Sequence, residues 1–101
     1  MTDFAASVAG SRRLAILRAL VEAEGAANES ILRTCIQALG FTGRQLGDVR
    51  QDLNHLEQAG MVETSWYEGR VMIARITKRG VAFTRREVDP VPGIDYPSIG
   101  A

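Results

Sequence analysis

Apolar residues recur along this chain first at helical spacing and later in alternation. From Ser11 to Glu24, Leu14, Leu17, Leu20 and Val21 share one side of a helical repeat, with alanines between them and neither Pro nor Gly to interrupt it. This predicts an amphipathic first helix that stops near Gly25. Asn28, whose side chain suits an N-cap, opens a second helix in which Ile31, Leu32, Cys35, Ile36 and Leu39 form the apolar stripe. Gly40 supplies its left-handed stop. Phe41, Thr42 and Gly43 separate this segment from a third, where Leu46, Val49, Leu53 and Leu56 lie three or four apart. The pattern predicts a third helix over residues 43–59, with Thr42 as its cap and Gly60 as its stop. So short a connection forces the second and third helices to cross steeply, the geometry of a helix-turn-helix pair.

After Gly60 the period changes to alternation. The stretches MVETSWY and RVMIARIT are of strand length, rich in β-branched and aromatic residues, and separated by Glu68 and Gly69, which predicts a hairpin with a two-residue turn. Met72, Ala74 and Ile76 share the face assigned to the core. Thr77 then caps a short last helix reaching Glu87, with Val81, Ala82 and Phe83 turned inward. All three prolines, Pro90, Pro92 and Pro97, fall in residues 87–101, so that tail is neither a continuous helix nor a central strand. Its Val91, Ile94, Tyr96 and Ile99 imply that it docks on something. The predicted organisation is an N-terminal arm over residues 1–10, a folded unit over 11–86 and a Pro-rich tail over 87–101.

Composition narrows the function classes. A chain of 101 residues with 46% hydrophobic and 24% charged residues builds one globular core and is not a disordered segment. Twelve Lys and Arg offset twelve Asp and Glu, so a nucleic-acid partner requires unevenly placed charge or a dimer. Arg12 and Arg13, and Lys78, Arg79, Arg85 and Arg86, are candidates for such unevenness. Cys35 is the sole cysteine, which excludes an internal disulfide and a thiolate metal site and fits a reducing cytoplasm. Cys35 is read as a small core residue. No basic stretch precedes an apolar run at the N-terminus, and no window reaches the roughly 20 apolar residues of a membrane span, so neither a secretory signal nor a membrane is expected. His55, the sole histidine, has no Cys beside it, and no nucleophile with a base or phosphate loop is visible. No metal, cofactor or enzymatic activity is expected.

Two junctions carry a family resemblance. The run VRQDLNHLEQAGMVE, Val49 to Glu63, resembles the passage from recognition helix to wing in bacterial ArsR-like winged-helix regulators: Leu53 and Leu56 anchor the helix, Gly60 reverses the chain, and Met61 and Val62 begin the wing. The run ARITKRG, Ala74 to Gly80, resembles that family's exit from the wing. The resemblance covers about residues 11–86. It implies a mainly α winged helix-turn-helix fold with a three-helix core, a two-stranded β-hairpin wing and a C-terminal helix. The metal-sensing members carry paired cysteines near the recognition segment, and this chain has none there. The size, the tail and the GIDYPS segment are also similar to small winged-helix proteins of Mu-like prophages.

The fold so implied presents the N-terminal half of the third helix to the major groove, so Thr42, Arg44, Gln45, Asp48, Arg50 and Gln51 are the candidate DNA-binding residues. Arg suits guanine and Gln suits adenine through paired hydrogen bonds. By resemblance, Arg50, Gln51 and Asp52 occupy the positions where ArsR-like regulators carry DNA-contacting residues. Asp48 and Asp52 are a departure, since they would face or flank a polyanion. Arg70 beside Gly69 is the candidate wing cation for the backbone or minor groove near residues 67–71; Trp66 is assigned to packing. A solvated helix face is the competing interpretation of Arg44, Arg50 and Gln51. The expected function is a sequence-specific DNA-binding protein, a small transcriptional regulator that binds double-stranded DNA as a homodimer through helix 11–24 and the C-terminal tail. The alternative is a winged-helix protein–protein interaction module that binds no DNA, which neutral net charge favours.

Overall fold

The computed structural model describes residues 4–99. Helix α1, Phe4–Glu22, leads into a short strand β1, Ala26–Asn28, then α2, Glu29–Ala38, and α3, Leu46–Gln58. Strands β2, Val62–Tyr67, and β3, Val71–Ile76, form a hairpin, and α4, Lys78–Thr84, precedes an extended tail. The result is a mixed α/β unit of four helices and one three-stranded antiparallel sheet in the order β1-β3-β2. β3 is the central strand: Ala27 pairs with Ala74 on one side and Thr64 with Ala74 on the other.

Helices α1, α2 and α3 pack on one another, and β3 and α4 close against α1. Leu17, Leu20, Leu32, Ile36, Val49, Leu53, Leu56, Met61 and Phe83 are fully enclosed there. These residues include the central members of each helical stripe, because a helix pointed at one core buries a narrow row at i, i+3 and i+4. The edges of the stripes stay wet: Val21 is 42%, Ile31 51% and Leu39 64% exposed. Cys35 is likewise only half-buried and is not a core residue.

Several boundaries differ from those expected. The first helix begins at Phe4 and takes in most of the segment assigned to an arm, since Phe4 to Gly10 contains alanines and no proline. Residues 1–3 of that arm lie outside the described residues. β1 has only three residues, without a β-branched or aromatic side chain, so alternation does not announce it; pairing with β3 creates it. The third helix starts at Leu46 rather than Gly43. Gly43 takes a left-handed φ of 76°, which no helix can start from, and Thr42 is an exposed turn residue rather than the cap. Gln45 occupies the N-cap, and the Asp48 carboxylate accepts its backbone N–H at 2.9 Å. The hairpin turn has three residues, Glu68 to Arg70, between the paired Tyr67 and Val71. α4 ends at Thr84, short of Glu87, as Arg86 turns left-handed. Asn28 and Thr77 do cap α2 and α4, accepting the backbone N–H of Ile31 and Gly80.

The tail folds back as a strap on its own domain. Ile94 is buried, Tyr96 packs edge-on against Phe83 with ring centroids 5.5 Å apart, and its hydroxyl donates to the Val88 carbonyl at 2.6 Å. The Asp95 backbone N–H donates to the Gly10 carbonyl, Ser11 Oγ donates to the Asp95 carboxylate at 2.6 Å, and Arg13 donates to the Gly93 carbonyl. Gly10 leaves room for this contact: a Cβ there would lie 2.6 Å from Asp95 Oδ1, and the carboxylate would have to move. Of the apolar residues assigned to docking, Ile99 is left 84% exposed; Gly100 and Ala101 lie outside the described residues.

Candidate nucleic-acid interface

Two buried carboxylates fix how α3 is presented. Asp52, on the inner side of α3, is 1% exposed and receives Arg12 through both Nε and Nη2, the latter at 2.9 Å, and Arg13 Nε at 3.1 Å. The paired hydrogen bonds with Asp52 hold the Arg12 guanidinium more firmly protonated than usual; burial opposes this, and the charges of Asp52 and then Asp48 reinforce it. Asp52 therefore does not face a partner, contrary to its expected place on or beside the outer face. Arg12 is equally withdrawn, at 8% exposure, and is no surface cation. Sequence spacing could not disclose this pair, because forty residues separate its members.

Glu29, the first residue of α2, is the other buried acid, at 1% exposure. It accepts Arg50 Nε at 2.5 Å and Nη2 at 3.0 Å, together with the Met72 backbone N–H at 2.8 Å. The Arg50 hydrogen bonds hold its carboxyl below the ordinary value of 4.5; burial pushes the other way, and the Met72 N–H and the Arg50 charge add to the lowering. One carboxylate thus joins α2, α3 and the central strand. Arg50 also lies over the Trp66 ring at 4.9 Å and reaches the Arg70 carbonyl at 3.5 Å, tying the hairpin tip to α3. Trp66 remains half-exposed, so it covers Arg50 rather than filling the core. Glu29 was not among the candidate residues: an acid in the first turn of a helix is ordinary in sequence, and only its burial shows that it has a partner.

The candidate residues fall into two sets. Thr42, Gln45 and Gln51 are exposed, and Arg44 and Asp48 are half-buried, all on the turn before α3 or its first two turns. Arg70 is exposed at the hairpin tip, held beside this set by its carbonyl contact with Arg50. Arg50 belongs to the brace instead, its guanidinium committed to Glu29. The Arg44 carbonyl accepts from Gln37 Nε2 at 3.5 Å, leaving its side chain free of protein partners among the described residues.

The outer ridge of α3 is Gly47, Gln51, Asn54 and Gln58, all exposed and spaced four, three and four residues apart. No described residue hydrogen-bonds the side-chain amides of Gln51, Asn54 or Gln58. Each carboxylate of α3 itself has an internal use: Asp48 caps Gln45, Asp52 binds Arg12 and Arg13, and Glu57 accepts the Thr64 N–H and hydroxyl at 2.9 and 2.8 Å. A Cβ added to Gly47 would touch nothing within 4 Å, so the helix surface there is open to a close-approaching partner.

His55 Nε2 lies 3.2 Å from the Pro92 carbonyl, a contact with the strap. Among the described residues no group of three His, Cys, Asp or Glu side chains is placed to hold a metal ion, and no helix is long and apolar enough to cross a membrane. Comparison of the chain with protein-family models, curated proteins and solved structures returns no match.

Proposed function

We propose that this chain is a winged-helix DNA-binding domain, with α3 as the recognition helix and the β2–β3 hairpin as the wing. The element order α1-β1-α2-α3-β2-β3 and the sheet order β1-β3-β2 support the fold assignment. The observation that carries the activity is the internal use of all three α3 carboxylates, which leaves an outward ridge of one glycine and three amides. Amides hydrogen-bond base edges. Arg44, just before the helix, and Arg70, exposed at the hairpin tip, are the cations offered to phosphates.

One recognition helix spans few base pairs, so specificity calls for a two-fold homodimer on symmetric half-sites. The surfaces expected to form it are largely occupied, since Leu14, Leu17 and Leu20 of α1 and Ile94 of the tail face the protein's own core. The groove between α1 and α2, bordered by Ala15, Ala19, Cys35, Ala38 and Leu39, is an apolar surface open to a second copy. The second functional interpretation, a protein-binding module, draws its support from the burial of Arg12 and the engagement of Arg50 by Glu29.

Fluorescence anisotropy with a labelled mixed-sequence duplex separates the two. DNA binding predicts saturable association at about 50 mM salt that weakens steeply by about 200 mM. Gly47→Glu is the matched variant. A carboxylate in the first turn suits the helix dipole and replaces a poor helix former, so the melting temperature holds or rises. Affinity for the duplex falls at least tenfold, about 1.4 kcal/mol, as negative charge enters the groove. Absence of binding at about 100 µM protein and low salt, the weak end of non-specific association, overturns the proposal.

A further inference from the structure

We infer that Gln51 and Asn54 are the specificity-determining residues of the α3 surface and that they select duplexes presenting adenine in the major groove; the inference rests on the DNA-binding proposal above. Guanine offers two acceptors, N7 and O6, and is matched by a guanidinium with two parallel donors. The arginine on the hairpin side of the helix, Arg50, has Nε and Nη2 on the buried Glu29 carboxylate and its face on Trp66. Moving it to a base would strand Glu29, 1% exposed, with the Met72 N–H as its sole remaining protein partner among the described residues. The Glu29 carboxylate thereby anchors Arg50 in place.

What remains on the ridge is a different chemistry. A side-chain amide carries one donor and one acceptor, the complement of adenine, whose N7 accepts and whose N6 donates. Gln51 and Asn54 are exposed and free of hydrogen bonds to any described residue. Three residues of helix separate them by about 4.5 Å along the axis, close to the roughly 3.4 Å step between bases on one strand. They therefore address neighbouring base pairs. Gly47, one turn earlier with open space beside its Cα, lets the helix seat deeply enough for side chains as short as Asn to reach base edges.

Selection from a random duplex library, carried out with the full chain and with Gln51→Ala and Asn54→Ala, tests this. Both positions are exposed and unbonded, so circular dichroism and melting of the variants should match the parent and certify folding. The expected result is an enriched site with adenine at two neighbouring positions, with Gln51→Ala relaxing one position and Asn54→Ala the other. Each variant should lose about fivefold to a hundredfold in affinity for the parent site. Replacing one selected adenine at a time by 7-deazaadenine removes its N7 acceptor and should reproduce the loss for the parent while changing little for the variant that lacks the amide assigned to that base. Guanine at these positions, or an enriched site indifferent to both variants, overturns the inference and leaves DNA binding standing. Failure to bind any duplex overturns both.

Discussion

Replacing Asp52 by Asn changes one atom in the side chain that holds α1 to α3, and both stability and binding should report its location. The side chains of Asp52 and Arg12 are 1% and 10% exposed, so the substitution leaves a guanidinium buried without its counter-ion. Removing one partner of such a pair costs about 3–5 kcal/mol. Arg13, more exposed than Arg12 at 18% of its side chain, keeps the Gly93 carbonyl as a partner when Asp52 is neutralised. Against a total stability of about 5–15 kcal/mol for a domain of this size, a loss of about 4 kcal/mol leaves a folded but weakened protein. Its melting temperature should drop by about 15–30 °C, at roughly 4–8 °C per kcal/mol. Urea titration followed by circular dichroism gives the free energy directly. The double variant Arg12→Met, Asp52→Leu should recover most of the loss, because an apolar pair of similar volume commonly replaces a buried ion pair without penalty. Duplex affinity measured in the cold, where Asp52→Asn is folded, should equal that of the parent. An Asp52 facing phosphates would instead give tighter binding once neutralised. A stability change under about 1 kcal/mol, or a gain in affinity, refutes the placement of this carboxylate.

The remaining predictions address the second buried acid and the strap. Because the Glu29 carboxyl is held below its ordinary value of 4.5, its contribution is fully present above that pH and is lost as pH falls through the lowered value. The stability gap between the parent and Glu29→Gln should therefore be constant at neutral pH and shrink on acidification below 4.5, as measured by urea midpoints across pH. Tyr96→Phe deletes the hydroxyl that donates to the Val88 carbonyl while retaining the ring against Phe83, and should cost about 1 kcal/mol in the same titration. Gly10→Val drives a β-branched side chain into the Asp95 carboxylate and should loosen the strap, seen as faster amide exchange at Ile94 and Asp95.

The helices were legible in the sequence because a single core buries one narrow row of each. Leu17, Leu20, Leu32, Ile36, Leu53 and Leu56 were identifiable from spacing alone, as were Asn28 and Thr77 from their capping chemistry. Strand β1 was not legible, since Ala26 and Ala27 carry no strand preference and depend on β3 for their hydrogen bonds. Thr42 is a cap by residue type, yet the left-handed Gly43 sets the boundary three residues later. The candidate site was half legible. Gln51 and Arg70 lie exposed where helical and hairpin geometry put them, whereas the ion pairs of Arg50 and Asp52 are not legible, because each partner, Glu29 or Arg12, is distant in sequence. A helical wheel separates faces of one helix but says nothing about a charge that another helix supplies.

Contact of the α3 ridge and the β2–β3 hairpin tip with duplex DNA is the proposal on which the function rests. Titrating a short duplex into the isotopically labelled protein and following backbone and side-chain amide resonances tests it residue by residue. Shifts should concentrate at Arg44, Gln45, Gly47, Gln51, Asn54 and Arg70, with the Gln51 and Asn54 side-chain NH₂ signals moving most and α4 and the strap unchanged. Shifts centred on the α1–α2 groove or the strap, with the α3 ridge unmoved, would contradict it.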